Sequence, residues 1–558
     1  VSLSGAVTAS LAPTGFRTVR ADRSGGRFGL EINGVPVFCR GANWLPLDVT
    51  TLQNDPDRLE RDLQRFVAAG FNMVRVPGTA VYETEAWWEM CDRLGIMVWQ
   101  DAMWASMDPP KDEEWQATYA GEVAAMSRRA ASHPALTVLS GGSEVEQQSA
   151  MLGLDPAKWS PPLLAELAGV VAAAAPGVPY VPTTPTGGVL PFAPGEGVAH
   201  YFGVGTYRRP LSDVRDARVS FAAECLAFSV PPEPDAVKEL GGAIRAGHHP
   251  GWKAGVPGQV RSFDDEEVRE AYVRDIFGID PVALRATDPA RALDYGRAAV
   301  AEAFTSNFAF WRRARSGCHG ALVLHWRDVV PGPGWGLLDW RGRPKVTWYV
   351  VRRLLDPVAV WLADDGLNGL MVALANDSGT EVQGDLEVAG ISAGGQILDA
   401  GSQAVLLGPR QRTEILADRV LGGFRDLSWA FRFGPPTYDA VVAQLTLRAG
   451  NGTDRILRAV HFPAGPARPR LPDLGLAGRA IPAGPGEWEL EVTSTLPAQW
   501  VAVDCPGFAV SDSWFHVVPG YPERIRLVLA EAGGGGGRPV GAVHALNGHG
   551  PAPIAVQP

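Results

Sequence analysis

Two stretches of this chain run from apolar residues through small ones to a carboxylate. Residues 137–146, TVLSGGSEVE, reach Glu144 after Gly141-Gly142-Ser143, and residues 219–226, VSFAAECL, reach Glu224. An apolar run that ends in glycines reads as a buried strand whose last residue emerges at the rim of a sheet, with room beside it for another molecule. Two such glutamates face to face are what glycosidic bond cleavage by double displacement requires, one to protonate the leaving oxygen and one to attack the sugar carbon. A single glutamate at a strand end is usually a solvated residue, so the pairing carries the reading.

The elements that must hold this pair follow from periodicity. A hairpin signal, Asn33-Gly34, sits between extended runs at 28–32 and 35–38. Strand patterns then recur at 37–43, 71–76, 96–103, 137–143, 180–184, 200–204, 219–226 and 321–326. Helical spacing fills residues 55–69, 83–94, 112–132, 160–175, 266–276 and 289–316. Eight βα units predict an α/β chain built on a (β/α)8 TIM barrel, with its site at the carboxyl ends of the strands. On this count Glu144 ends strand four and Glu224 strand seven, on opposite sides of the mouth.

After residue 357 the helical period disappears. Short strands at 358–362, 369–376, 380–388 and 414–415, and a pair at 440–449 and 455–462 around Gly450-Asn451-Gly452, predict a β-sandwich. A second small β-domain is expected over 488–530, with a glycine-rich connection at 533–537. The domain plan is a β-sandwich remnant at 1–26, the barrel at 27–356, an immunoglobulin-like sandwich at 357–464 and a C-terminal β-domain at 465–558.

Bulk composition excludes several functions. Among 558 residues the net charge is -11, so no basic surface exists to neutralise a phosphate backbone, and nucleic acid is not an expected partner. Arginine outnumbers lysine by 45 to 5, which reads as genome composition. The five cysteines show no CxxC spacing and read as buried thiols rather than a zinc site or a disulfide framework. His248-His249 lies in a Gly/Pro loop with no further ligand at metal spacing, so neither metal nor cofactor is expected. No run of about eighteen apolar residues occurs, which argues against a membrane partner. The start lacks an initiator methionine and a basic leader region, so the chain reads as processed, with a cytoplasmic setting.

The motifs together resemble the β-mannosidase-like branch of glycoside hydrolase family 2. The likeness runs through GANWLPLD (41–48), NMVRV (72–76), Tyr82-Glu83, CDRLGIMVWQDAMWA (91–105), HPAL (133–136) and GGSE (141–144). It continues through AHYFGVG (199–205), AECLAF (223–228), SGCHGALV (316–323) and WGLLDWRGRPK (335–345). The resemblance implies Glu144 as acid/base and Glu224 as nucleophile, in agreement with the strand count. It implies that Arg75 keeps the nucleophile ionised and that Tyr201 donates a second hydrogen bond to it. Ionised Glu224 is expected to raise the pKa of Glu144. Asn43, Trp44, Trp99, Asp101, Trp104, Ser143, His200, His325 and Trp335 are the further candidates for contact with substrate.

The implied activity is exo-acting, retaining removal of a terminal β-linked sugar from an oligosaccharide or glycoconjugate. Three departures leave the sugar open. Ser143 stands where the family usually has asparagine, Pro77 replaces a tryptophan, and the strand-eight YWQ reads Val323-Leu324-His325. The same mechanism on a β-galactofuranoside, glucosaminide or arabinofuranoside, or a carbohydrate-binding protein without turnover, are the alternatives. Family members usually carry N-terminal β-domains that wall the pocket, which makes a separate N-terminal polypeptide or a neighbouring subunit the candidate partner.

Overall fold

The computed structural model describes residues 2–3, 7–8, 15–258, 264–448, 454–530 and 537–557. The turn expected at Gly450-Asn451-Gly452 and residues 533–536 of the glycine-rich connection lie outside the described residues. The chain forms two compact units. One comprises Val1–Phe202, Ala217–Cys225 and Gly317–Val329, and the other Gly203–Asp216, Leu226–Ser316 and Val330–Pro558.

The first unit contains all eight barrel strands: Cys39–Asn43, Met73–Val76, Met97–Asp101, Leu136–Ser140, Tyr180–Val181, Ala199–Tyr201, Phe221–Cys225 and Gly320–Val323. They pair in parallel in the order five-four-three-two-one-eight-seven-six. Strand one lying beside strand eight is the signature of a sheet rolled on itself. Beyond strand five, Thr186 and Val198 exchange two 2.9 Å backbone hydrogen bonds and link the segments that lead out of strand five and into strand six.

Local chemistry explains the intervening helices. Asp55 accepts from Arg58 N at 2.8 Å and caps Pro56–Ala68, whose buried stripe is Leu59, Leu63 and Phe66. Asp112 caps Glu113–Ala131 in the same way, and Gly95 ends Glu85–Leu94 at φ 70°.

A three-stranded antiparallel sheet, Val19–Asp22, Gly29–Ile32 and Val35–Val37, carries Phe28 and Leu30 into the barrel core. Asn33 and Gly34 both adopt positive φ at its hairpin. Phe28 packs on Trp99 and Phe221, and these join Cys39, Met73, Val138, Val181, Val198 and Leu322 in one cluster. Burying this many large apolar groups stabilises the barrel by roughly 1.5–3 kcal/mol per side chain before conformational entropy opposes it.

In the second unit, a three-stranded sheet (Val358–Asp364, Leu370–Asn376, Gln411–Leu416) and a four-stranded one (Val382–Ile391, Ile397–Leu407, Ala440–Leu447, Arg455–His461) contribute to a single core, the arrangement of a β-sandwich. Ile397–Leu407 was not legible in the sequence because it is an edge strand, exposed along much of its length, with no continuous apolar face. A second β-domain runs from Ala477–Gly484 to Ala552–Val556 around its own core. Within this unit Trp500 Nε1 donates to Glu302 at 2.9 Å, and Trp514 Nε1 to Glu233 at 3.1 Å, tying two partly buried carboxyl groups to the β-domain. The molecule is thus an α/β barrel followed by β-sandwich domains. Among the described residues no helix is long and apolar enough to cross a membrane.

Candidate active site

Arg75, near the end of strand two, is completely buried and sits at the centre of the carboxylates. Its Nη1 donates to Glu224 Oε1 at 2.7 Å and to Asn43 Oδ1 at 2.9 Å. Its Nη2 donates to Asp101 Oδ2 at 2.7 Å, Thr184 Oγ1 at 2.6 Å and Ser143 Oγ at 3.1 Å. Burial alone would lower the guanidinium pKa, but Asp101 and Glu224 outweigh it and push it upward. Asn43 also donates to the carbonyls of Ala223 and Val323, so it pins Arg75 to strands seven and eight.

Asp101 is as buried as Arg75. Burial raises its pKa above the ordinary range despite the guanidinium, and Trp99 Nε1 and Gly78 N donate to its oxygens at 3.0 and 3.2 Å. Thr184 was missed by sequence reading; a hydroxyl at a strand end gives no signal until the register is known.

Glu144 lies just beyond strand four at φ 58°, a left-handed conformation costly for any residue with a Cβ. Its N–H donates to Thr184 O at 2.5 Å, which helps hold it there. The glycines before it serve the chain itself rather than a ligand: a Cβ on Gly141 would lie 2.5 Å from Pro182 O, and one on Gly142 2.9 Å from Trp104 O. That corrects the expectation of open space at this point.

His200 stands opposite Glu224 in the strand-six register, while Tyr201 stands opposite Cys225. His200 Nδ1 is 2.9 Å from Glu144 Oε1 and 3.5 Å from Glu224 Oε2. Ser106 Oγ donates to Glu144 Oε2 at 3.2 Å. One donor atom each of Glu144, His200 and Glu224 fit within 4.8 Å of one another, so the two carboxylates converge across the mouth. The expected rise in the Glu144 pKa is not found. Burial pushes it up, but the hydrogen bond and charge of His200, with hydrogen bonds from Ser106 and Gln147, bring it down to about 2. The fold places an imidazole, His200, between Glu144 and Glu224, and that placement is set by strand register rather than by any local pattern.

The tryptophans expected to stack on sugar divide differently. Trp99 is fully buried between Phe28 and Phe221 and is a core residue that orients Asp101, a correction to its expected role. Trp44 is likewise core, packed on Trp87 with its Nε1 donating to Glu83 at 2.7 Å. Trp104 is nearly buried, its Nε1 on Met107 O. Trp335 belongs to the second unit, where it donates to Asp265 at 2.6 Å. His325, just after strand eight, is half-buried, and desolvation together with the Arg75 charge lowers its pKa to about 4. The structure therefore brings together Glu144, Glu224, Arg75, Asp101, Asn43, Ser143 and His200.

No family model matches the chain. It is 29% identical to β-mannosidase B of Aspergillus niger over 374 residues, 62% of this chain and 43% of that protein. It is 25% identical to β-mannosidase B of Aspergillus fumigatus over 92% of this chain and 63% of that protein, and 25% identical to β-mannosidase of Mus musculus over 63% and 43%. The chain thus spans between two-fifths and two-thirds of the length of these relatives. Among solved structures, β-D-mannosidase from Dictyoglomus thermophilum superposes with TM-score 0.80 at 21% identity, covering 98% of this chain and 64% of that one. An exo-chitosanase from Amycolatopsis orientalis superposes at 0.69 with 15% identity, over 97% and 66%.

The chain thus combines a (β/α)8 barrel with paired glutamates, one beyond strand four and one within strand seven. Over most of its length the chain is similar to proteins named β-mannosidase.

Proposed function

We propose that this chain is a retaining exo-glycosidase that hydrolyses a terminal β-linked sugar, with Glu224 as nucleophile and Glu144 as acid/base. The observation that carries the reading is the spacing of the two carboxylates, whose nearest oxygens lie within 4.8 Å. Double displacement uses carboxyl groups roughly 5–5.5 Å apart, whereas inversion leaves roughly 6.5–9.5 Å for a water between them.

In this mechanism Glu224 forms a bond to the anomeric carbon as the glycosidic oxygen leaves with a proton from Glu144. Glu144, now ionised, then takes a proton from water, which releases the sugar from Glu224. Arg75 supports the first step by stabilising ionised Glu224 through its 2.7 Å charge-assisted bond. Relatives named β-mannosidase make a mannoside the first candidate substrate. Ser143 keeps other sugars in contention: its single hydroxyl, already engaged by Arg75, offers a sugar less than the asparagine amide usual in the family.

A panel of nitrophenyl glycosides, run on the wild type beside Glu224→Ala, tests the proposal. One β-glycoside is expected to be cleaved by the wild type and not by the variant. Near-normal turnover by Glu224→Ala would overturn the assignment.

A further inference from the structure

We infer that His200 is the proton-holding partner of Glu144: the proton that the acid delivers to the leaving group is stored on the His200–Glu144 pair, not on Glu144 alone. This rests on the reading of Glu144 as acid/base and goes beyond it by assigning a positioning residue.

Three observations carry the inference. His200 Nδ1 lies 2.9 Å from Glu144 Oε1, a distance that places a hydrogen between them. The imidazole is almost wholly buried, and its contact with Glu224 Oε2 at 3.5 Å puts it between the acid and the nucleophile. The surrounding charges are unbalanced: Glu144, Glu224 and Asp101 supply three carboxylates, and among the described residues the arginine paired with them is Arg75. His325, the other imidazole near Arg75, is held neutral at pH 7 by burial and by the Arg75 charge. Leaving two carboxylate charges uncompensated in a buried cluster is costly, so a proton retained by the His200–Glu144 pair removes one of them.

The proton count closes through the whole cycle. The hydrogen on Nδ1 passes along the 2.9 Å contact to Oε1, leaving His200 neutral and Glu144 as the carboxylic acid. Glu144 gives that proton to the glycosidic oxygen as the C1–O bond breaks and Glu224 bonds to C1. In the second half, ionised Glu144 takes a proton from the attacking water while Glu224 leaves C1 as a carboxylate, and that proton returns to Nδ1.

His200→Asn tests this, because its amide keeps a donor near the Nδ1 position but cannot carry the extra proton. On an alkyl glycoside of the accepted sugar, kcat/KM is expected to fall at least about tenfold at pH 7. The alkaline limb of the pH profile is expected to move to lower pH, because the amide carries no proton for Glu144 to draw on. On the 2,4-dinitrophenyl glycoside, which leaves without a proton, the loss should stay within about threefold. An unmoved alkaline limb, or an equal loss for both leaving groups at every pH, would overturn the inference and leave His200 a structural residue. Glu144→Gln serves as the control. If that variant shows no leaving-group dependence, the acid/base reading itself fails and takes this inference with it. A measurement on the wild type needs no folded His200 variant: the infrared band assigned by Glu144→Gln should be a carboxylate at pH 6, and a carboxylic acid band there would contradict the stored-proton arrangement.

Discussion

Arg75 and Glu224 meet at 2.7 Å, and the other end of the same guanidinium is 2.7 Å from Asp101. One buried cation therefore holds two carboxylates, one facing the mouth and one sealed in the core. The charge of Glu224 and the stability of the barrel share a single side chain.

Arg75→Met should expose this coupling. Removing one partner of a buried ion pair leaves uncompensated charge and costs about 3–5 kcal/mol. Urea unfolding should show that loss, and pairing the change with Asp101→Asn should recover part of it, since only one carboxylate then lacks a partner. Full additivity of the two substitutions would argue against the shared network. Turnover should fall with Arg75→Met under either result.

Glu144→Ala should discriminate between leaving groups. Alkyl glycosides need a proton and should slow by about 10²–10⁴-fold, while dinitrophenyl glycosides should slow far less in the first step. Equal losses for both would remove Glu144 from the acid role.

How much of this was legible in the chain is clearest at particular residues. The eight strands followed from extended runs alternating with helical spacing, and Glu144 and Glu224 fell at the fourth and seventh by counting. The helix beginning at Pro56 followed from its aspartate-proline start. What could not be read was set by tertiary register. Thr184 and Ser106 bond the central side chains only because distant strand ends meet, and His200 faces Glu224 through a register shift between Ala199 and His200. Trp99 and Trp44 misled because an indole at a strand end can turn inward as well as outward, and packing against Phe28, Phe221 and Trp87 decides which.

Glu302 offers a test of stability against pH. Burial raises its pKa to about 7, with only the Trp500 hydrogen bond opposing. The folded protein holds this proton after the unfolded chain has lost it, so the contribution is fully present below about pH 4.5 and is lost as pH rises through 7. Glu302→Gln removes that dependence. Relative to the wild type, the variant should gain up to about 3 kcal/mol between pH 4.5 and 8, read by urea unfolding. A wild-type-to-variant difference that does not change with pH would place the carboxyl group in contact with solvent.

All five cysteines are free and buried, and burial pushes Cys39 up to about 12 and Cys505 to about 11. Native protein should therefore react with a thiol reagent at none of them within minutes, and at all five after denaturation. Rapid reaction of one thiol in the native state would show that its segment opens locally.

The central claim is that Glu144 and Glu224 act on opposite faces of one anomeric carbon by double displacement. Proton NMR of the first product formed from the β-glycoside that the chain cleaves reads this directly, before mutarotation mixes the anomers. The account predicts that the β-anomer appears first; initial release of the α-anomer would contradict it.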